Sequence, residues 1–290
     1  MQYQLENKLL SVTVKEQGAE LCSIRNTRSE IEYIWGADAE VWGRHAPVLF
    51  PIVGKLKDNQ YFLKGKEYSL PQHGFGRDKD WLLIDRDDNS LTFQLKEDSE
   101  TLQKYPFEFE LRALYSLEGS SLSITYTVWN KSKEDMPFSI GAHPGFNCPL
   151  QEGEEFEDYF LEFEKPETLS RELLNFGLRT GEKQLVLENQ NELPLEKKLF
   201  SKDALVFEGV QSEWISLKSR KSGHGLQIGI KGFPYLGVWT KAGGSEFICI
   251  EPWYGVADRE DSGLDILKKE GIRLLPPEDK FSCSYSIKVF

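Results

Sequence analysis

Histidine, cysteine and methionine are scarce in this chain of 290 residues, which holds four, four and two of them. The cysteines, Cys22, Cys148, Cys249 and Cys283, are scattered and form no C-x-x-C pair. That argues against a local zinc site and against a disulfide framework, and the expectation is buried structural thiols in a reducing cytoplasm. Basic residues are outnumbered, 35 against 47 acidic, for a formal net charge of −12. No basic cluster offsets this, so neither nucleic acid nor an anionic membrane is an expected partner. No run of about 18 apolar residues occurs, so no membrane-spanning helix is expected. The first residues, Met1 to Asn7, lack the basic-then-apolar order of a signal peptide. No G-x-x-x-x-G-K-[ST], H-E-x-x-H or G-x-S-x-G is present. Helical periodicity is weak, and only residues 100–104 and 170–174 carry it.

What the chain has is alternation. Phe107, Phe109, Leu111, Ala113, Tyr115 and Leu117 share one face of a β-strand, with mainly Glu108, Glu110, Arg112 and Ser116 between them. After the turn at Gly119, Leu122, Ile124, Tyr126 and Val128 alternate with Ser and Thr, which predicts a hairpin buried on one face. Residues 281–289 and 10–14 repeat the pattern. Further strands are expected at 20–25, 31–35, 81–85, 91–95, 136–140, 159–164, 214–218, 226–230, 235–239 and 247–251. Many short strands and few helices predict an all-β fold, a large antiparallel β-sandwich. No repeat or linker divides the chain, so residues 1–290 are expected to form a single domain. Residues 165–202 are polar and are expected to be a surface excursion, one that would also wall a cleft.

Chemistry-bearing residues fall at strand ends and in Gly/Pro-rich loops. His143 sits in His143-Pro144-Gly145-Phe146, where a strand meets a sharp turn. Glu251 ends the apolar run before Pro252 and Trp253, and Pro252 is expected to terminate the ladder. A carboxyl so placed is costly unless paired or useful, and burial would raise its pKa toward that of a general base or acid. Arg44, beside His45, would bind sugar hydroxyls or an anion, or serve as a salt-bridge partner. In His73-Gly74-Phe75-Gly76-Arg77 the glycines would let the backbone approach a ligand, with His73 and Arg77 as donors, or would make a tight turn. Trp239 would stack on a pyranose face or pack in the core. Asp203 precedes a strand and would be a ligand-facing carboxylate or a turn residue.

In order along the chain, Arg44, His73-Gly74-Phe75, Tyr105-Pro106-Phe107, Asn130, Met136-Pro137-Phe138, His143-Pro144-Gly145-Phe146 and Glu251 resemble the aldose 1-epimerase (galactose mutarotase-like) superfamily, in particular its LacX-like branch. The likeness covers nearly the whole chain. It implies a β-supersandwich with a sugar cleft on one sheet and no metal or redox cofactor. It also implies His143 as general acid and Glu251 as general base, with Arg44, His73, Arg77, Asp203 and Trp239 binding the sugar, on a monomer or homodimer. The usual mutarotase sequence after the second histidine is His-Pro-Tyr-Phe, and here Gly145 stands in the tyrosine's place. The stretch ending in Arg77 is similar to the His-Gly-Phe-Ala-Arg of hexose-6-phosphate 1-epimerases, where the arginine helps hold phosphate. The rival expectations are therefore a hexose-6-phosphate substrate held by Arg77 and Arg44, and a non-catalytic carbohydrate-binding or sensing protein. A glycosidase or lyase would need paired carboxylates, and only Glu251 and Asp203 offer themselves.

Overall fold

The computed structural model describes residues 1–243 and 246–290. Its largest sheet has nine strands, in the order Leu178–Pro194, Tyr159–Asn175, Trp214–Ser219, Gly225–Gly229, Lys280–Val289, Ser121–Asn130, Phe109–Glu118, Ser90–Lys96 and Leu82–Arg86. A six-stranded sheet runs Leu205–Glu208, Tyr235–Trp239, Phe247–Tyr254, Ile140–Ala142 and Val48–Leu49, with Gly145–Asn147 also paired to Phe247–Tyr254. A three-stranded sheet (Gln2–Glu6, Leu10–Lys15, Glu20–Asn26) and two strand pairs complete the set. Neighbouring strands pair antiparallel throughout.

The predicted hairpin forms in the predicted register: Val128 faces Leu111 and Tyr126 faces Ala113, and all four are buried. Its apolar face packs toward the six-stranded sheet, and Phe50 meets Phe109 with ring centroids 5.0 Å apart. The three expected motif segments outside the site are structural. Tyr105 donates to the Pro137 carbonyl at 3.0 Å, and Asn130 Nδ2 donates to Glu134 and Leu275 carbonyls.

Three expectations are corrected and one is sharpened. Residues 31–35 form only isolated bridges, Glu32 to Arg25 and Ile34 to Phe146, in place of a strand. Residues 170–174 are not helical but lie inside the strand Tyr159–Asn175, with Ser170 opposite Leu185 and Glu172 opposite Lys183. Pairing along the sheet overrides a helix-prone composition here. The polar excursion is the long hairpin made by that strand and Leu178–Pro194. Pro252 does not end its ladder: it sits opposite Leu236, and the strand continues to Tyr254. The α-helix expected at 100–104 does form, as Ser99–Lys104, with Asp98 and Thr101 in a capping box.

Alternation in Phe247–Tyr254 decides where the site lies. Ile248 and Ile250 point into the main core between the sheets. Phe247, Cys249, Glu251 and Trp253 therefore project from the opposite face of the six-stranded sheet, as do Tyr235 and Trp239 from the neighbouring strand. The candidate site lies on this face, turned away from the main core between the sheets.

Candidate active site

That face floors a pocket of about 270 Å³, near the lower end of the roughly 300–1,000 Å³ usual for small-ligand sites. Its walls include Trp42, His73, Arg77, His143, Arg179, Asp203, Trp239, Glu251 and Trp253. Six of the seven residues expected from the sequence are among them, and the exception is Arg44. Its guanidinium donates to Asp78 at 2.7 Å outside the pocket wall, the salt-bridge alternative left open above. His45 is structural too: its backbone N–H and that of Ala46 donate to Glu20 Oε1 at 2.7 and 3.0 Å.

His143 and Glu251 are set by strand register. Ile140–Ala142 and Gly145–Asn147 both pair with Phe247–Tyr254, Gly141 opposite Trp253 and Gly145 opposite Cys249. The same diagonal carries His143 opposite Glu251, and the Ile250 N–H donates to the Pro144 carbonyl at 3.3 Å. Pro144 interrupts the strand at this point because it has no N–H to give. His143 Nε2 lies 3.1 Å from Glu251 Oε2. At this separation the two groups line the pocket side by side.

Burial dominates the electrostatics of the pair. It pushes the Glu251 carboxyl well above its ordinary value, helped by the Asp203 charge and opposed by the Trp253 indole. Burial also pushes the His143 imidazole down to about 3, with Arg77 and Arg44 adding to the effect. Burial thus disfavours the charged form of each group. His143 Nδ1, Glu251 Oε2 and Trp253 Nε1 are buried without an aligned hydrogen-bond partner among the described residues. The 3.1 Å approach is thus a close contact whose angle is poor for a hydrogen bond. Buried polar atoms are nearly always satisfied, so three orphans at one pocket floor mark a ligand site.

His73 adds a donor. Its Nδ1 accepts from the Gly54 N–H at 3.1 Å, which places the proton on Nε2, where the Gln72 side-chain amide lies 3.3 Å away. Burial first, then the nearby His143, Arg77 and Arg44, keep the ring neutral. The glycine after it serves the fold rather than the ligand: a Cβ on Gly74 would come within 2.3 Å of the Phe50 carbonyl oxygen. Arg77 donates to the Gln72 carbonyl at 2.7 Å, and its buried Nε has no hydrogen-bond partner but lies 4.0 Å from Asp78 Oδ2. Burial and Arg44 lower its pKa to about 10, against the pull of Asp78 and Glu20, so it stays cationic. Asp203 has φ 70° and caps its own turn through the Ala204 N–H, yet it also lines the pocket.

Trp42 and Arg179 were not singled out from the sequence. Trp42 stacks on His143 with centroids 5.0 Å apart and meets Trp239 edge-on at 5.6 Å. It also explains Gly145: a Cβ there would fall 2.7 Å from the Trp42 ring, so the indole occupies the space a larger residue would need. Arg179 comes from the hairpin, beside Leu174 and Gly177, which also line the pocket. The excursion thus does wall the cleft. Arg179 bonds Glu172 at 3.0 Å, both oxygens of Glu270 at 2.7 and 2.9 Å, and the Ala257 carbonyl at 2.8 Å. No local sequence signal marks either residue, since their partners are remote in the chain.

The family model described as aldose 1-epimerase matches residues 1–261. The chain is 38% identical to the plasmid-encoded protein LacX of Lactococcus lactis subsp. lactis, over all of this chain and 99% of that one. A galactose mutarotase related enzyme from Lactobacillus acidophilus superposes with a TM-score of 0.96 at 37% identity, covering 100% of this chain and 97% of that one. A galactose mutarotase-like protein from Lactobacillus casei gives 0.95 at 33% identity, with both chains covered in full. The chain belongs to the aldose 1-epimerase family, in its LacX-like branch.

Proposed function

We propose that the protein is an aldose 1-epimerase that interconverts the α and β anomers of a hexose through the open-chain aldehyde, with Glu251 as base and His143 as acid. The reading is carried by the buried 3.1 Å contact between the two side chains at the pocket floor. Ring opening needs a proton removed from the C1 hydroxyl and one delivered to O5, two oxygens bonded to the same carbon. A base and an acid side by side on one face match that requirement.

A neutral carboxyl and neutral imidazole hold as many protons as a carboxylate and imidazolium. Transfer of one proton from Glu251 to His143, once sugar binding turns the two side chains into line, arms the pair. Glu251 then takes the C1 hydroxyl proton as His143 protonates O5, and the C1–O5 bond breaks. The pair is now neutral again, the form that burial favours. Rotation about C1–C2 and reversal of the transfers close the ring on the other face. His73 Nε2–H, Arg77 and Asp203 hold hydroxyls, and Trp239 and Trp42 exclude water and flank the ring.

A second reading, a hexose 6-phosphate, draws on Arg77, whose buried Nε has no aligned partner. It has no second cation ready, since Arg44 is committed to Asp78 and Arg179 to two glutamates. Following anomer exchange by NMR for galactose, glucose and both 6-phosphates separates the readings. Exchange of the free sugars that disappears in Glu251→Gln supports the first. A preference for the phosphates, lost in Arg77→Ala, supports the second. Sugar binding with no exchange above background would leave a non-catalytic binding protein.

A further inference from the structure

Cys249 has no part in the acid–base scheme, yet it lies beside the pair. It precedes Glu251 by two residues on the same face of the strand, opposite Gly145 on one side and Trp239 on the other. Ligand atoms of His143, Cys249 and Glu251 all fall within 4.8 Å of one another. The three residues are 8%, 0% and 1% exposed. His143 Nδ1 and Glu251 Oε2 are among the buried atoms without an aligned partner.

One imidazole nitrogen, one thiol sulfur and one carboxylate oxygen form a mixed donor set. Magnesium and calcium take oxygen ligands, whereas zinc, cadmium and cobalt(II) accept sulfur and nitrogen. Thiolate and carboxylate would balance a 2+ charge, and the imidazole would coordinate in its neutral form. Metal–ligand bonds of about 2.0–2.3 Å require donors closer together than this cluster holds them, and side-chain rotations on the order of 1 Å supply the difference. The absence of a C-x-x-C pair does not bear on such a site, because its ligands come from two adjacent strands rather than one local turn.

We propose that the pocket floor is also an inhibitory site for a thiophilic divalent cation, held by His143, Cys249 and Glu251, with its fourth position open to the pocket. Coordination releases the thiol and carboxyl protons to solvent and occupies the lone pairs the acid–base pair needs. Metal and sugar therefore exclude each other.

Cobalt(II) chloride titrated into the chelator-stripped full chain tests this without turnover. The expected result is a near-ultraviolet thiolate-to-cobalt band with visible d–d bands, saturating at one equivalent and displaced by zinc. The band disappears in Cys249→Ala, weakens in His143→Ala and persists in Cys22→Ser. Absence of a thiolate band in the wild type at millimolar cobalt, or a band that survives Cys249→Ala, overturns the proposal. Should Cys249→Ala fail to fold, the His143→Ala and Cys22→Ser spectra decide it alone. Zinc is also expected to slow wild-type anomer exchange at least tenfold more than exchange by Cys249→Ala. Because the spectra need no sugar, they stand even if the epimerase reading fails.

Discussion

Two buried polar clusters lie within one pocket wall of each other and are finished differently. At the hairpin, Arg179 is matched to Glu172, Glu270 and the Ala257 carbonyl. Burial alone would lower its pKa, but the two glutamates outweigh it and raise it. Nearby, Lys269 donates to Asp258 at 2.7 Å and to the Val256 carbonyl at 2.6 Å. At the pocket floor, His143, Glu251 and Trp253 keep polar atoms without aligned partners. One cluster is paired within itself, and the other keeps polar atoms free to meet a ligand, as the proposed reaction requires. An unpaired buried group costs free energy that a purely structural cluster avoids, so incompleteness separates the two roles.

The largest break in that contrast should come from the floor. Glu251→Gln and His143→Asn are each expected to lower anomer exchange about 10²–10⁴-fold with circular dichroism unchanged. Near-wild-type exchange in either variant sinks the acid–base assignment. The same Glu251→Gln change should raise the melting temperature at pH 7. The folded carboxyl has a pKa above its unfolded value, so between the two values the native state binds more protons and stability falls as pH rises. An amide removes that loss, and calorimetry against pH reads it directly.

Arg179→Met should do the reverse. It takes the 3.0 Å partner from buried Glu172 and leaves it Arg259 at 3.6 Å and the Gly181 N–H, a loss of about 3 kcal/mol in denaturant unfolding. Its kcat should fall far less than that of the floor variants, with the effect mostly in KM as the wall loosens. A kcat loss matching Glu251→Gln would merge the two clusters into one.

The pH profile gives a smaller effect. Activity needs the pair to hold one proton, and adding a second requires protonating an imidazole pushed down to about 3. The acid limb of kcat/KM should therefore fall well below pH 6.5. A limb centred near the ordinary histidine value would mean that sugar binding restores His143 basicity. Smallest is Glu270→Gln, expected to cost about 1 kcal/mol, because Glu270 is part-exposed and Glu172 still pairs with Arg179.

Much of this was legible in the sequence, for reasons that differ by region. Alternation exposed the central hairpin because one face is buried and the other polar. It failed at Ser170–Leu174, whose buried Arg171 and Glu172 find partners in other segments, Gln184 and Leu199 for the first and Arg179 and Arg259 for the second. His143 and Glu251 were readable because each ends an apolar run at a proline. Trp42 was not, because its contacts with His143 and Phe247 arise from strands distant in sequence. Arg44 was misplaced because a sequence does not say which carboxylate reaches a guanidinium first, and Asp78 does.

The diagonal that sets His143 opposite Glu251 has a consequence for how such a protein can change. The reacting groups inherit their spacing from a backbone ladder, and a shift of one residue would send one of them to the far face of the sheet. Insertions within Phe247–Tyr254 or 140–147 should therefore be fatal to activity. The hairpin tip lies outside that ladder and can lengthen or trade residues without moving the pair, so under the proposed reaction substrate choice could change at the rim while the acid and base stay in register.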